Sequence, residues 1–209
     1  IEKNYYFCRA DDRSADRKPN NDMKDTLKFY NDFPKPGIVF VDIIPFLQDK
    51  RKFARLVDEI GACVTAPNIA APEARGFLFT APLLLAKPEV KNIIPIRKSG
   101  KLPFNEGDLR EVAVVKEYGT DKLFYRVSDI AAGELSADGA FHISIVDDVL
   151  ATGGTAEGIA ESLCRGKVAV DGEEHPVIID EFVFLVGLDD LRGAERLEKI
   201  APVKVLMHI

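Results

Sequence analysis

Cysteine and histidine are scarce in this chain. Cys8, Cys63 and Cys164 are odd in number and far apart, a pattern that suits a reducing compartment and offers neither a disulfide framework nor a zinc site. His142, His175 and His208 show no metal-ligand spacing, so structural or surface positions are expected for them. No apolar run approaches the roughly 20 residues that span a bilayer, and no signal-peptide pattern is visible. A surplus of positive charge is missing too. The formal net charge is -6 over 209 residues, which excludes a general nucleic-acid or membrane surface. Any phosphate chemistry therefore requires a local cation cluster. Internal repeats and low-complexity tracts are also absent. With 46% apolar and 30% charged residues, the length suits one α/β domain with a sizeable core.

What is present centres on Phe141-His-Ile-Ser-Ile-Val-Asp-Asp-Val-Leu-Ala-Thr-Gly-Gly-Thr155. The β-branched apolar run reads as a buried strand ending in Asp147 and Asp148. A glycine turn follows, then a helix carrying Ile159, Ala160, Leu163 and Cys164, with Gly166 as its stop. A strand that turns through glycines into a helix N-terminus is an anion site, because backbone N–H groups and the helix dipole converge on one phosphate. Gly153 and Gly154 let the backbone approach closely, and Thr152 and Thr155 add hydroxyl donors. The paired acids repel phosphate but accept hydrogen bonds from vicinal ribose hydroxyls. The ligand implied is a ribose 5-phosphate carrying a further group at its anomeric carbon. A Walker loop does not fit, because Gly154 is followed by Thr155 and Ala156, and no G-x-G-x-x-G occurs.

In chain order, residues 1–20 read as an extension with an aromatic patch, Tyr5 to Phe7. Asp22 is expected to cap a short helix carrying Met23, Leu27 and Tyr30. Asp32–Leu47 holds three prolines and reads as a rigid loop. Such a loop either covers the core edge or presents Phe40 and backbone groups to a flat ligand. Asp49 caps a helix carrying Phe53, Leu56, Val57 and Ile60, with Gly61 as its end. Residues 68–71 form a strand running into Arg75-Gly76, a second anion-friendly junction. The following apolar helix, Phe77 to Ala86, is expected to be buried. Ile93–Ile96 is a strand that delivers Arg97, Lys98 and Lys101, the required cation cluster, although basic runs are more often solvated faces. A long mobile loop is expected over residues 102–111. Val112–Val115 and Leu123–Val127 flank Glu117-Tyr-Gly-Thr120 as an antiparallel ribbon. A hairpin turns at Asp171-Gly172. Phe182–Val186 is a buried strand, a helix follows over Leu191–Ile200, and Val203–Met207 is the last strand. Strands alternating with helices predict a mainly parallel, doubly wound sheet with ligand loops at the strand ends.

The stretch around Asp147 resembles the phosphoribosyl-pyrophosphate (PRPP) signature of the type I phosphoribosyltransferases. Five further segments are similar to one subfamily, the adenine phosphoribosyltransferases: DFPKPGIVFVD (32–42), EARGFLF (73–79), IRKSGKLP (96–103), EYGT (117–120) and LDDLRGAERL (188–197). Together they cover about residues 30–209, as one domain over 21–209 with a base-binding loop at 32–47 and a lid at 102–122. The N-terminal twenty residues, a lengthening at Ser136–Ala140 and the 167–179 hairpin look like additions.

The resemblance implies a type I phosphoribosyltransferase fold with a lid and a small N-terminal hood. It implies transfer of the phosphoribosyl group of PRPP to adenine, giving AMP and pyrophosphate. By the same resemblance, Asp147 and Asp148 hold the ribose hydroxyls, and Ala151, Thr152, Gly153, Gly154 and Thr155 cradle the 5-phosphate. Arg75, Arg97, Lys98 and Lys101 neutralise the pyrophosphate, with Mg²⁺ chelated mainly by PRPP and water. Phe40 stacks on the base, the Val39 backbone reads its edge, and Leu188 lines the other side. Glu117 with Tyr118 supplies acid–base help from the lid, and Arg97 counts among the catalytic groups. A non-proline cis peptide is expected at Glu73–Ala74. The family further implies a cytoplasmic homodimer with no nucleic-acid or membrane partner. Two positions depart from its pattern: Val41 stands where a basic residue is expected, and Ala71-Pro72 replaces a glycine-containing pair. Rival readings are a phosphoribosyltransferase for another purine and a PRPP-sensing regulator. The short, weakly basic N-terminal extension argues against the regulator.

Overall fold

Runs of β-branched residues separated by amphipathic segments produce a parallel sheet covered on both faces. The computed structural model describes residues 21–116 and 119–209. The expected extension over residues 1–20, and Glu117 with Tyr118, lie outside the described residues.

Helix α1 (Asn21–Lys24) leads to a two-stranded antiparallel hood, β1 (Lys28–Asn31) with β2 (Val39–Asp42). The helix expected to carry Tyr30 stops earlier, because Tyr30 pairs with Phe40 across the hood. Residues 32–38 form the turn between the two strands, closed by the Asp32 carboxylate accepting from the Gly37 N–H at 2.7 Å. Pro45 sits in the first turn of α2 (Ile44–Leu47), where its missing N–H costs nothing. The loop expected over 32–47 therefore contains a strand and a helical turn.

Asp49 caps α3 (Lys50–Cys63), accepting from the Arg51 and Lys52 N–H groups at 2.9 and 3.1 Å. Gly61 does not end this helix, which runs on to Cys63. Among the described residues Cys164 is a free thiol. Strand β3 (Asn68–Pro72) is buried throughout. The long buried helix expected next is two short ones, α4 (Arg75–Thr80) and α5 (Leu83–Ala86), separated at Ala81-Pro82. Leu85 on α5 is 93% exposed, so the apolar face is only partly covered.

The remaining elements are β4 (Asn92–Lys98), β5 (Leu109–Lys116), β6 (Gly119–Arg126), α6 (Val127–Ala131), β7 (Phe141–Leu150), α7 (Gly154–Arg165), β8 (Lys167–Val170), β9 (Glu173–Gly187), α8 (Gly193–Leu197) and β10 (Val203–His208). The expected hairpin is β8 with the start of β9. Its second strand continues without a break into the buried run, as one strand of 15 residues. The last helix is shorter than expected.

The main sheet has the order β10-β9-β7-β3-β4-β6-β5, with β8 paired to β9. Strands β10 to β4 run parallel, and β6 and β5 are antiparallel. Alternation along β9 splits the core: Phe182 and Phe184 join the cluster under α7, while Val183 and Leu185 join the cluster under α3. Chain order reverses between β3 and β7, so the crevice beyond their carboxyl ends is where a doubly wound sheet binds its ligand. No helix among the described residues is long and apolar enough to cross a membrane.

The lengthening at 136–140 is tied down by His142, whose Nδ1 lies 2.6 Å from Asp180 Oδ1 and whose Nε2 lies 2.9 Å from Asp138 Oδ2. Hydrogen bonds to Asp138 and then Asp180 raise its pKa above the ordinary 6.5, against an opposing effect of burial. A raised folded pKa stabilises fully below the unfolded value and is lost as pH climbs through the folded one. The stability advantage of wild type over His142→Gln is therefore expected to be largest near pH 5.5 and to shrink at alkaline pH. Thermal melts of both proteins at pH 5.5 and pH 9 check this. An advantage that grows with pH contradicts it.

Candidate active site

The end of β7, the loop after it and the N-terminus of α7 enclose a cavity of ≈ 90 Å³, lined by Asp147, Leu150, Ala151, Thr152, Gly153, Gly154, Thr155 and Phe184 among others. Gly153 is the N-cap of α7, at φ +79°, and no side chain caps the helix. The first-turn N–H groups are thus left for a ligand. Glu157 in that first turn would oppose an anion, but Arg196 of α8 binds it at 2.6 Å.

A residue absent from the sequence-based site shapes this loop from behind. A Cβ on Gly193 would lie 2.2 Å from the Ala151 carbonyl oxygen and 3.0 Å from the Gly153 nitrogen. Gly193 lies in LDDLRGAERL, just after Arg192 at φ +53°, and nothing local in that segment marks it. Gly76 plays a similar part, with a virtual Cβ 3.3 Å from the Val146 carbonyl and 3.4 Å from Asp147 Oδ1.

The two acids sit where strand becomes loop. The Asp147 carboxylate accepts from the Asp148 N–H at 2.8 Å. Burial, and then the neighbouring Asp148 charge, push the Asp147 carboxyl well above the usual carboxylate range. Burial raises Asp148 as well, against the pull of Arg75. Arg75 Nε lies 2.9 Å from Asp148 Oδ2, yet that buried oxygen accepts no aligned hydrogen bond. A buried acceptor with an ion partner and no directed donor is suited to a ligand hydroxyl.

Arg75 joins three parts of the crevice. Besides Asp148, its Nη1 donates to the Val41 carbonyl at 3.1 Å, and its guanidinium lies 5.0 Å from the Phe40 ring centre. Phe40 is held edge-on by Phe33, with centres 5.2 Å apart at 82°. Val41 itself is buried at 4% exposure, so its side chain supplies no charge to the crevice. Val39 on the same strand is exposed. The Leu188 N–H donates to the Leu150 carbonyl at 2.9 Å, and its side chain packs on the core cluster under α3.

On the other side, the Glu73–Ala74 peptide is cis, as expected. The Glu73 carboxylate accepts from Arg97, and Arg97 also lies 5.8 Å from the Phe77 ring centre. Burial would raise the Glu73 pKa, but hydrogen bonds from Arg97 and the Lys98 backbone outweigh it and keep the group ionised. Lys98 and Lys101 are exposed at the turn beyond β4, closed by the Lys101 N–H donating to the Lys98 carbonyl. Arg75 and Arg97 thus flank one cis peptide. Phe33, Glu73 and Phe77 are supports that sequence reasoning missed.

No protein-family model matches the chain. A curated adenine phosphoribosyltransferase of Maridesulfovibrio salexigens is 39% identical over 178 residues, covering 83% of this chain and 95% of that protein. The chain belongs to the adenine phosphoribosyltransferase family. The crystal structure of adenine phosphoribosyltransferase from Thermoanaerobacter pseudethanolicus, 33% identical, matches 90% of this chain and 99% of its own at a TM-score of 0.75. The Saccharomyces cerevisiae protein, solved with an imino-altritol bisphosphate and adenine, is 32% identical and matches at 0.69 over 89% of this chain and 97% of its own. The type I phosphoribosyltransferase fold expected from the PRPP signature is therefore the fold of this chain. Within the described residues of this family member, the Ala151–Thr155 loop, the acid pair, Arg75 and Phe40 meet at one crevice. Glu117 and Tyr118, the catalytic pair implied by the resemblance, lie outside the described residues.

Proposed function

We propose that the protein transfers the 5-phosphoribosyl group of PRPP to adenine, releasing pyrophosphate and forming AMP for purine salvage. The carrying observation is that Arg75 links the buried acid pair, which adjoins the Ala151–Thr155 loop, to the Phe40 ring of the hood. In this reading the 5-phosphate takes the loop and helix N–H groups at Ala151–Thr155. Asp147 and Asp148 accept the ribose hydroxyls, and the unaligned Asp148 Oδ2 is the acceptor in waiting. The base lies against Phe40, with the Val39 backbone and Leu188 about its edge.

Breaking the anomeric C–O bond puts positive charge on the sugar and negative charge on the departing pyrophosphate. Arg75, Arg97, Lys98 and Lys101 oppose that second charge, and electrostatic help of this kind is commonly the largest contribution to rate. The acid pair is shared with Arg75 and suits hydroxyl ligands, so Mg²⁺ would be held mainly by PRPP and water and not by a protein carboxylate cluster among the described residues. Mg²⁺ when bound supplies further neutralisation of the leaving group. Glu117, with Tyr118, takes or shares the proton of the attacking base.

The exposed leucines Leu78, Leu84 and Leu85 on α4 and α5 support assembly as a homodimer. Charged substrates that do not cross a bilayer support a cytoplasmic location. In an assay of purified protein with PRPP, Mg²⁺ and single purine bases, pyrophosphate release is expected with adenine and far less with hypoxanthine, guanine or xanthine. Preference for another base would move the assignment within the family. PRPP binding without release for any base would favour the sensor.

A further inference from the structure

A second cavity, of ≈ 240 Å³, lies between the root of the β5–β6 ribbon, the C-terminal end of α7 and the start of β8. Strand β8 belongs to the hairpin that looks like an addition to the family pattern, and its Lys167 and Val168 form one wall. The floor is apolar and comes from Val127, Ile130, Leu163 and Val168. The rim carries Arg110, Arg165 and Lys167 against one acid, Glu111. Glu111 has its own exposed contact with Lys122 at 3.0 Å, and the single acid leaves the three cations of the rim in surplus. Lys167 has only a loose, exposed contact with Glu174 at 3.4 Å, worth little in solvent. Arg110 is fixed in place, its Nη1 donating to the Gly107 carbonyl at 2.6 Å and the Leu109 carbonyl at 3.1 Å. The remaining wall is Tyr125, a buried ring whose hydroxyl donates to the Ser162 carbonyl at 3.0 Å. A concave apolar floor under an unbalanced basic rim, on a chain of net charge -6, is not a solvated face. It has the form of a small-molecule site.

The geometry points to this cavity as a binding site for a small organic dianion, such as a phosphate monoester, separate from the active site. The charged head meets Arg110, Arg165 and Lys167, and the apolar body rests on Ile130, Leu163 and Val168. The two sites sit at opposite ends of α7, whose 12 residues span roughly 18 Å. The inference does not depend on the reaction assigned above.

Phenyl phosphate is the probe, followed by methyl NMR of the full chain, which reports position directly. Saturable shifts are expected at the Ile130, Leu163 and Val168 methyls. They should persist when Gly153→Val blocks the phosphate loop. Inorganic phosphate, lacking the apolar body, should bind this cavity at least tenfold more weakly. Arg165→Ala and Lys167→Ala, both at exposed positions, should each weaken phenyl phosphate several-fold at these methyls. Shifts confined to residues near the Asp147–Thr155 crevice would overturn the proposal. So would shifts at Ile130 and Leu163 that neither substitution weakens.

Discussion

Gly153→Val is expected to remove most of the stabilisation that AMP gives the wild-type protein. A ligand at a hundred times its Kd stabilises the native state by about 2.7 kcal/mol. For a chain of this size each kcal/mol moves the melting point by roughly 2–4 °C, so wild type should gain about 5–10 °C. Two effects remove this gain in the variant. At φ +79° a β-branched residue is strained, and its Cβ would lie 3.0 Å from the Gly193 carbonyl and 3.3 Å from Leu197 Cγ. The loop must then shift, and its N–H groups leave the positions that meet the phosphate. Gly172→Val is the matched control, because φ there is +87° but a Cβ meets nothing within 4 Å. Melting curves with and without AMP, alongside circular dichroism of the unliganded variants, separate lost binding from lost folding. A folded Gly153→Val protein with an unchanged AMP shift would remove the cradle from the account.

That pairing of Gly153 with Gly193 marks the limit of what the chain makes legible. The strand, acid pair, glycine turn and helix around Asp147 could be read because each is local and has its own period or turn chemistry. The doubly wound order followed from the alternation of such segments. Gly193 could not be assigned, since its need for a missing Cβ arises from a loop forty residues earlier. The β1 strand was missed for the same reason: Tyr30 is extended because it pairs with Phe40, a partner beyond the prolines. The break at Ala81-Pro82 was legible and underweighted, since proline disrupts a helix interior. Glu181 shows a different gap. Nothing in Asp180-Glu181-Phe182 announces a core carboxylate, yet it is 2% exposed and satisfied by Thr65, Ser144 and Lys204. Its neighbours in space come from three other segments. The crevice residues that were legible are those whose own side chains or turns suggest chemistry; those that were missed hold the others in place.

Glu117→Gln is expected to lower kcat by about 10²–10⁴-fold, the usual worth of a positioned acid or base. Glu117 and Tyr118 join β5 at Lys116 to β6 at Gly119, and the EYGT segment resembles the lid of the adenine phosphoribosyltransferases. A purine nitrogen that attacks the anomeric carbon must shed a proton, and glutamine keeps the size and hydrogen bonding of glutamate without taking one. PRPP contacts lie elsewhere in this reading, at Asp147–Thr155 and Arg97–Lys101, so calorimetric PRPP affinity should change little. Arg97→Ala should behave differently. It removes a pyrophosphate contact and leaves Glu73 without its partner, weakening PRPP binding and rate together. Steady-state kinetics with adenine and PRPP titrations of both variants distinguish the two roles. If Glu117→Gln turns over within about threefold of wild type, a value far below the acid–base range, the residue only positions the base. The rate would then rest on the cations around the pyrophosphate.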